Sequence, residues 1–302
     1  MAQFPEETAD GSFKRQEDAY RRIVGASDDL PVVPGRYHLY VSLACPWASR
    51  ALIVRKLLGL QDSIGVSIAD PVRDERGWAF REGPGHGPDE AEGFHFLSEA
   101  YTATDPGFDG RVTVPVLWDR LEKKIVNNSE DDICRMFQAA FAPPEAPNLF
   151  PPQLAEEQDA LSRYLYEKVN NGVYLAGFAA DQAVYEKAVF ELFEALDVLE
   201  ERLASTRYLL GDRIVESDWR LFCTLVRFDA VYHGHFKCNL RRVIDYPGLH
   251  RHLCDLYRQP GIAETVNFDH IKRHYYITHD DINPNGLVPV GPAVIFGNEG
   301  DA

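Results

Sequence analysis

The chain has 302 residues and a strongly acidic balance, with 47 Asp and Glu residues against 31 Lys and Arg residues and a net charge of −16. This negative charge argues against nucleic acid and against an anionic membrane surface as partners. The length exceeds that of a typical single domain and favours two.

A polar and charged N-terminal extension, residues 1–35, precedes the first predicted element. Residues 1–25 hold no apolar run of signal-peptide or membrane-spanning length. The five cysteines are dispersed and odd in number, which fits a reducing compartment better than a disulfide framework. We therefore expect a cytoplasmic protein.

The first predicted unit is a strand, a helix and a second strand. Residues 37–41 alternate as a strand does, and apolar residues then recur at helical spacing until Gly59. Residues 63–69 follow as a second strand. A strand that returns after a helical crossover lies parallel to the first, so this stretch predicts a βαβ unit.

Cys45 lies where the first strand ends and the first helix begins, directly before Pro46. A proline is favoured at the first helical position because its missing N–H needs no partner there. The N–H groups and the dipole of the helix stabilise a thiolate, so we expect the pKa of Cys45 to fall from ~8.5 toward ~4–7. Ala48 stands where a C-x-x-C motif would place its second cysteine. Cys45 is therefore a candidate nucleophile that needs an external thiol, and its alternative interpretation is a small buried core residue.

A long irregular stretch, residues 71–110, precedes a predicted hairpin of residues 112–118 and 124–126 and a helix of residues 129–141. Pro115 lies within the first hairpin strand. Proline cannot donate to a strand ladder, so Pro115 marks an edge or a bulge, and a cis peptide bond is compatible with this position.

The second half of the chain is predicted to be helical. A proline-rich linker, residues 143–150, is followed by helical patterns at residues 153–171, 181–204, 217–233, 246–257 and 261–268. The domains are thus an extension (1–35), a thioredoxin-like domain (36–142), the linker (143–150) and an all-helical domain with a C-terminal tail (151–302).

Several motifs resemble those of the xi-class glutathione transferases, the glutathionyl-hydroquinone reductases. They span the region from about residue 37 to residue 292. They are Cys45-Pro46-Trp47-Ala48, residues 113–119, Asn170-Asn171-Gly172-Val173-Tyr174, Arg220-Leu221-Phe222, residues 235–239, Asp245-Tyr246-Pro247, residues 265–268, His270-Ile271-Lys272, His274-Tyr275-Tyr276 and Asn283-Pro284.

The resemblance implies a glutathione transferase fold, with an α/β thioredoxin-like domain and an all-α domain, and thiol-dependent reduction of glutathionyl-hydroquinones. In that reaction the Cys45 thiolate attacks the sulfur of the conjugate and becomes a mixed disulfide with glutathione. A second glutathione, acting as co-substrate, then releases glutathione disulfide. The partners so implied are glutathione, an aromatic hydroquinone conjugate and a second copy of the chain in a homodimer.

The resemblance also implies which tyrosines recognise the hydroquinone. Tyr174 and the pair Tyr275 and Tyr276 would lie over the active site from the helical domain and hydrogen-bond the phenolic hydroxyls. The departing ring carbon needs a proton, so such a donor is required. Ordinary packing is the alternative interpretation for each of them, and the sequence does not decide which of Tyr275 and Tyr276 faces the site.

For thiol binding, the resemblance implies that Trp78 stacks on the peptide, Arg111 pairs with a carboxylate and Val114 pairs through its backbone. Arg111 could instead be a solvated charge at the strand end. Trp78 could instead cap the core beneath the long loop.

The chain departs from the family pattern at the start of the helix after the hairpin. The family has a Glu-Ser pair there, whereas this chain reads Ser129-Glu130. One interpretation makes Ser129 a helix cap in a capping box closed by Asp132. In the other, Ser129 and the N–H of Glu130 bind the γ-glutamyl carboxylate. The exchanged order leaves γ-glutamylcysteine or another low-molecular-weight thiol open as the co-substrate.

Two other functions remain open at this stage. One is a broader thioltransferase or dehydroascorbate reductase, which would turn over mixed disulfides equally well. The other is a non-catalytic interaction module, in which Cys45 would have an ordinary thiol pKa. The histidines lack the paired spacing and carboxylate of a zinc site, so we expect no metal.

Overall fold

The computed structural model describes residues 13–293 and residue 296, and these residues fall into two compact units. The first unit contains Gln16–Asn148 and Glu264–His274. The second contains Leu149–Ala263 together with the described residues before Gln16 and after His274.

The first unit contains a mixed four-stranded sheet. Its strands are β1 (Tyr37–Val41), β2 (Ile64–Ile68), β3 (Val116–Asp119) and β4 (Lys124–Asn127), in the spatial order β2-β1-β3-β4. β1 pairs in parallel with β2 and antiparallel with β3, and β3 pairs antiparallel with β4. The predicted βαβ unit and hairpin are both confirmed.

The helices of this unit are α1 (Pro46–Leu57), α2 (Leu97–Thr104) and α3 (Glu130–Met136), and a π-helical segment, Phe137–Phe141, continues α3. Helix α2 lies inside the stretch that the sequence left irregular. It is only eight residues long and contains two threonines, so it carries little helical periodicity. The Glu99 carboxylate, which accepts the backbone N–H groups of His95 and Phe96, fixes its start.

Strand β3 begins later than the sequence pattern predicted. Pro115 has no N–H to donate to the ladder, and the first paired residue is Val116. The Val114–Pro115 peptide bond is cis. The backbone of Val114 therefore lies just outside the sheet, beside the start of α1.

The second unit is helical. Its helices are α4 (Ala155–Tyr164), α5 (Gly172–Gly177), α6 (Gln182–Ser205), α7 (Glu216–Arg227) and α8 (Pro247–Tyr257), and π-helical segments, Leu165–Asn170 and Phe228–Tyr232, continue α4 and α7. A further helix, α9 (Phe268–Thr278), supplies residues to both units. This helical half was predicted, and the fold class is confirmed.

One predicted helix, residues 261–268, is wrong. Gly261 has a left-handed backbone (φ +78°), and only a single 3₁₀ turn, Ala263–Thr265, follows it. Asn267 then accepts the backbone N–H of His270 and begins α9 at the point where the predicted helix was to end. Because of the positive φ angle of Gly261 and the Asn267 cap, the helix begins at Phe268 instead of Gly261.

Helix α7 begins with half of a capping box. The Asp218 carboxylate accepts the backbone N–H of Val215 at 2.9 Å, but the Val215 side chain has no oxygen to return the interaction. Val215 is fully buried. The valine thus occupies a position at which the hydroxyl oxygen of serine or threonine would accept a hydrogen bond from a backbone N–H of the first helical turn.

We expect Val215→Thr to raise the free energy of unfolding by about 0.5–1 kcal/mol, because threonine keeps the shape of valine and adds the missing cap acceptor. Urea unfolding followed by circular dichroism measures the change. Val215→Ala, which adds no acceptor, is the control and should be destabilising. A Val215→Thr protein less stable than the original would contradict the prediction.

Candidate active site

Cys45 lies at the N-terminal cap of α1, with extended backbone angles (φ −77°, ψ 121°) and Pro46 at the first helical position. The Cys45 carbonyl accepts the N–H of Ser49 at 2.9 Å, which is the first bond of the helix. The side chain is 9% exposed. The thiol is therefore held at the positive end of the helix dipole, as the sequence predicted.

The Cys45 thiol donates a hydrogen bond to the carbonyl oxygen of Val114, at 3.6 Å. Among the described residues, no hydrogen bond is formed by the Val114 N–H. The backbone before Pro115 thus combines a carbonyl that contacts the thiol and an N–H that is open to an extended ligand.

Arg50 joins α1 to the start of α3. Its guanidinium is almost fully buried and pairs with Glu130 at 3.2 Å and with Asp131. The positive charge of Arg50 is therefore paired with two carboxylates at the beginning of α3.

Ser129 occupies the N-cap of α3, but its side chain makes no capping hydrogen bond, so the capping-box interpretation is wrong. The Ser129 hydroxyl is instead hydrogen-bonded to the Asp18 carboxylate, and the Ser129 N–H is bound by Asn127 Oδ1 at 2.8 Å. Asp132, the expected second half of the box, pairs with Arg21 and with the Asn127 amide. Burial raises the pKa of Asp18, although its bond to Ser129 acts in the opposite direction.

Asp18 is a residue that sequence reasoning missed. It belongs to the N-terminal extension, in which no periodicity or motif distinguishes one acidic residue from another. Its contact joins positions more than a hundred residues apart in the chain. Only the folded chain could reveal this acid beside Ser129.

Arg111 and Trp78 belong to the same unit as Cys45. The Arg111 backbone N–H donates to Gln16 Oε1 at 3.0 Å. The Trp78 indole is 4% exposed, lies beneath the Arg73 guanidinium at 4.9 Å and stacks on the His274 ring at 5.1 Å. Trp78 is therefore packed within the long loop between β2 and α2.

Three buried tyrosines of the helical unit form a chain of hydroxyl groups, here called the tyrosine trio: Tyr174, Tyr232 and Tyr275. The hydroxyl oxygens of Tyr174 and Tyr275 are 2.5 Å apart, and those of Tyr275 and Tyr232 are 3.0 Å apart. Two of these residues were sequence candidates. Tyr232 was missed because its helical pattern is the same as that of any packed tyrosine.

Tyr276 is oriented differently from its neighbour Tyr275. Its hydroxyl donates to the carbonyl oxygen of Ala230 at 3.4 Å, and its ring packs on that of His235 at 4.7 Å. The side chain is half-buried. Tyr275 is therefore the member of the pair that joins Tyr174.

The cysteines other than Cys45 are all buried thiols: Cys134, Cys223, Cys238 and Cys254. Burial raises the pKa of Cys238 and of Cys254. Neither is the first residue of a helix, where the dipole would favour a thiolate. Their positions agree with a packing role.

Among the residues that the structure describes, no group of three or more His, Cys, Asp or Glu side chains is placed to hold a metal ion. No helix in this part of the chain is long and apolar enough to cross a membrane.

The candidate residues thus form two groups. Cys45, Trp78, Arg111, Val114, Ser129 and Glu130 lie in the thioredoxin-like unit, whereas Tyr174, Tyr275 and Tyr276 lie in the helical unit. Within the first group, Cys45 contacts Val114, and Ser129 and Glu130 begin α3. Within the second, Tyr174 and Tyr275 are hydrogen-bonded to each other.

Both halves of the chain match protein families. Residues 44–140 match the glutathione S-transferase N-terminal domain, and residues 182–253 match the glutathione S-transferase C-terminal domain. The glutathionyl-hydroquinone reductase PcpF of Sphingobium chlorophenolicum is 47% identical over 294 residues, covering 97% of this chain and 93% of that protein. The glutathionyl-hydroquinone reductase YqjG of Escherichia coli is 48% identical over 294 residues, covering 93% of this chain and 89% of that protein.

Solved structures agree with these matches. The xi-class glutathione transferase of Natrialba magadii superposes with a TM-score of 0.92 at 47% identity, over 98% of this chain and 92% of that one. The glutathione-bound structure of Escherichia coli YqjG superposes with a TM-score of 0.89 at 46% identity, over 92% of this chain and 94% of that one.

Proposed function

The chain belongs to the xi class of the glutathione transferase family, together with named glutathionyl-hydroquinone reductases, and we propose that it reduces glutathionyl-hydroquinones to hydroquinones through Cys45. The observation that carries the proposal is a cysteine at the N-terminal cap of α1, preceding Pro46. The Cys45 thiol is favoured as a thiolate at this position. A hydroxyl there would instead suit the activation of glutathione by an ordinary transferase.

The first half of the reaction exchanges one bond for another. The Cys45 thiolate donates an electron pair to the conjugate sulfur and forms a disulfide with glutathione. The pair of the breaking carbon–sulfur bond goes to the ring carbon, which takes a proton and leaves as the hydroquinone. The ring is thereby reduced and the two sulfurs are oxidised.

The second half restores the enzyme with a second glutathione. Its thiolate attacks the glutathione sulfur of the mixed disulfide, and Cys45 departs as a thiolate while glutathione disulfide is released. Cys45 lacks a second cysteine at C-x-x-C spacing, so an external thiol resolves the disulfide in this scheme. Glutathione is a co-substrate, and the scheme needs no metal.

The residues of the thioredoxin-like unit bind the thiol in this proposal. The Val114 N–H pairs with the backbone of glutathione, in the way that a strand edge pairs with an extended peptide. Trp78 stacks on the peptide and Arg111 binds a carboxylate. Ser129 and the N–H of Glu130 bind the γ-glutamyl carboxylate at the start of α3.

The tyrosines of the helical unit serve the hydroquinone. Tyr174 and Tyr275 bind its phenolic oxygens and supply the proton that the departing ring carbon needs. Their hydroxyls already share one hydrogen bond, which supports a joint role. The Tyr276 hydroxyl donates to the Ala230 carbonyl, so Tyr275 is the member of the pair that takes this role in the proposal.

The proposal includes a cytoplasmic location and a homodimer. The location is supported by the five cysteines, all of which are thiols in the described structure. The homodimer rests on membership of the family. Light scattering of the purified protein measures the assembly directly.

Intact-protein mass spectrometry tests the proposed reaction. The reduced protein is mixed with a glutathionyl-hydroquinone in the absence of free thiol. We expect the mass of one glutathione on Cys45 and one equivalent of free hydroquinone, because the first half-reaction stops at the mixed disulfide. Added glutathione should then remove the adduct.

Two comparisons sharpen this experiment. A γ-glutamylcysteinyl conjugate run in parallel reports whether the exchanged Ser129-Glu130 order changes the preferred thiol. A simple mixed disulfide reports the broader thioltransferase activity. A folded protein that forms no adduct with any of the three compounds would disprove the proposed function.

A further inference from the structure

Asp89, in the long loop of the first unit, carries a buried carboxylate that the proposed reaction does not use. The side chain is 5% exposed. Burial acts to raise the pKa of Asp89, but hydrogen bonds from Ser67 and from the backbone lower it below its usual range. Within the described part of the chain, the carboxylate accepts five hydrogen bonds of 2.7–3.2 Å, from the Tyr40 and Ser67 hydroxyls and the backbone N–H groups of Ala91, Glu92 and Phe94.

Tyr40 and Ser67 attach Asp89 to the neighbouring strands β1 and β2. The Ser67 hydroxyl gives its one hydrogen to Asp89, so His38 Nε2 is the donor in its contact of 2.8 Å with Ser67 Oγ. Burial lowers the pKa of His38 to about 4, and the ring is therefore neutral at pH 7. Serine, histidine and aspartate are also the residues of a hydrolase triad, but there the histidine lies between the other two and takes the serine hydrogen. This cluster is therefore a hydrogen-bond network that fixes the loop to the sheet.

The turn that Asp89 holds leads directly to the backbone beside Trp78. Residues 95–97 follow this turn and pair with residues 78–80. The Phe80 N–H donates to the His95 carbonyl and the Leu97 N–H donates to the Trp78 carbonyl, both at 2.9 Å. A displacement of the turn would therefore be passed to Trp78 through these two backbone hydrogen bonds.

We infer that Asp89 is a positioning residue for the thiol co-substrate, because it holds the turn that fixes Trp78, the residue that stacks on the peptide in the proposed site. This inference rests on the proposed function. A binding side chain is most effective when its supporting contacts already hold it in the bound geometry. Without the Asp89 network, part of the binding free energy of glutathione would be spent on ordering the loop.

Asp89→Asn tests this role because it keeps the shape of the side chain and replaces one oxygen by an NH₂ group. Two of the described donors bind Oδ1 and three bind Oδ2, so the amide leaves at least two of them without an acceptor. We expect the dissociation constant of glutathione, measured by isothermal titration calorimetry, to rise about fivefold. Hydroquinone release at saturating conjugate should stay within about twofold, because Asp89 acts on thiol binding and not on the chemical step.

A double-mutant cycle with Trp78→Ala shows whether Asp89 acts through the tryptophan. Trp78→Ala by itself should raise the dissociation constant of glutathione about tenfold, because it removes the stacked ring. In the Trp78→Ala protein, Asp89→Asn should then change the dissociation constant by less than about twofold. The inference would be overturned if Asp89→Asn weakened binding equally in both backgrounds, or in neither.

The matched control is Asp119→Asn. Asp119 is a fully buried carboxylate of the same sheet, pairs with Arg36 and accepts the backbone N–H groups of Leu121 and Glu122. It holds the turn between β3 and β4 instead of the loop that carries Trp78. We expect this variant to lose folding stability in urea but to bind glutathione within about twofold of the original protein. If it weakened binding as much as Asp89→Asn, general loosening of the unit would be the cause and the inference would be wrong.

Milder variants keep the test decisive if the first ones do not fold. Ser67→Ala removes one of the hydrogen bonds to Asp89 and should weaken glutathione binding about threefold, with the same dependence on Trp78. Trp78→Phe can replace Trp78→Ala in the cycle, and an additive result again overturns the inference. An original protein that releases hydroquinone while the cycle is additive disproves only the role of Asp89. One that neither releases hydroquinone nor binds glutathione disproves the proposed function, and the inference with it.

Discussion

Cys45→Ser is expected to abolish hydroquinone release, with a loss of at least about 10³-fold in kcat/KM. The serine hydroxyl is far more basic than a thiol, so it is not ionised at neutral pH even at the end of a helix. Serine also cannot form a disulfide with the conjugate sulfur, so the reduction of the ring would have no matching oxidation. Turnover of a glutathionyl-hydroquinone, followed by chromatography of the free hydroquinone, measures the loss.

Cys254→Ser provides the matched control for this prediction. Cys254 is similarly buried, but it lies in the last turns of α8, and burial raises its pKa. Its replacement should leave turnover within about twofold, since this thiol is not activated by a helix N-terminus. A Cys45→Ser protein that retained turnover would exclude the mixed-disulfide mechanism, whatever the behaviour of Cys254→Ser.

The position of Cys45 could be predicted because all the information for it is local. A strand pattern, a cysteine, a proline at the first helical position and a helical pattern follow one another within about twenty residues. The structure places Cys45 at the N-cap of α1, as those signals indicate. The same reasoning predicted the parallel β1–β2 pair, because a helical crossover fixes the direction of the second strand.

The elements that sequence reasoning missed depend on short signals or distant contacts. Helix α2 is too short to show a helical period in its sequence. Gly261 adopts a left-handed backbone, which prevents the helix predicted at residues 261–268 from forming. Ser129 has the sequence of a capping box, yet Asp18 of the N-terminal extension binds its hydroxyl. Asp18 and Ser129 come together only in the folded chain, so a local sequence pattern cannot predict that Asp18, rather than the N–H groups of α3, binds the Ser129 hydroxyl.

The adjacent tyrosines of α9 also show what a sequence motif can and cannot predict. The adjacent residues Tyr275 and Tyr276 are equivalent in the sequence, and helical geometry turns successive side chains by about 100°. Tyr275 therefore meets Tyr174, while the hydroxyl of Tyr276 binds the Ala230 carbonyl. The resemblance named the pair, and the packing of α9 separated its members.

Asp218→Ala is expected to lower the free energy of unfolding by about 3–6 kcal/mol, a large share of the ~5–15 kcal/mol that stabilises a typical domain. The Asp218 carboxylate is fully buried and accepts three hydrogen bonds, from the backbone N–H groups of Leu209 and Val215 and from His252 Nε2, each at 2.9 Å. Alanine would leave all three donors buried without an acceptor. Urea unfolding followed by circular dichroism measures the loss.

Asp181→Ala separates this effect from the loss of an ordinary helix cap. Asp181 caps α6 and accepts the backbone N–H groups of Ala183 and Val184, but it is exposed, so water can replace it. Its replacement should cost only about 1 kcal/mol. If the two variants lost equal stability, burial of the three donors at Asp218 would not be the cause, and α7 would be held mainly by its apolar packing.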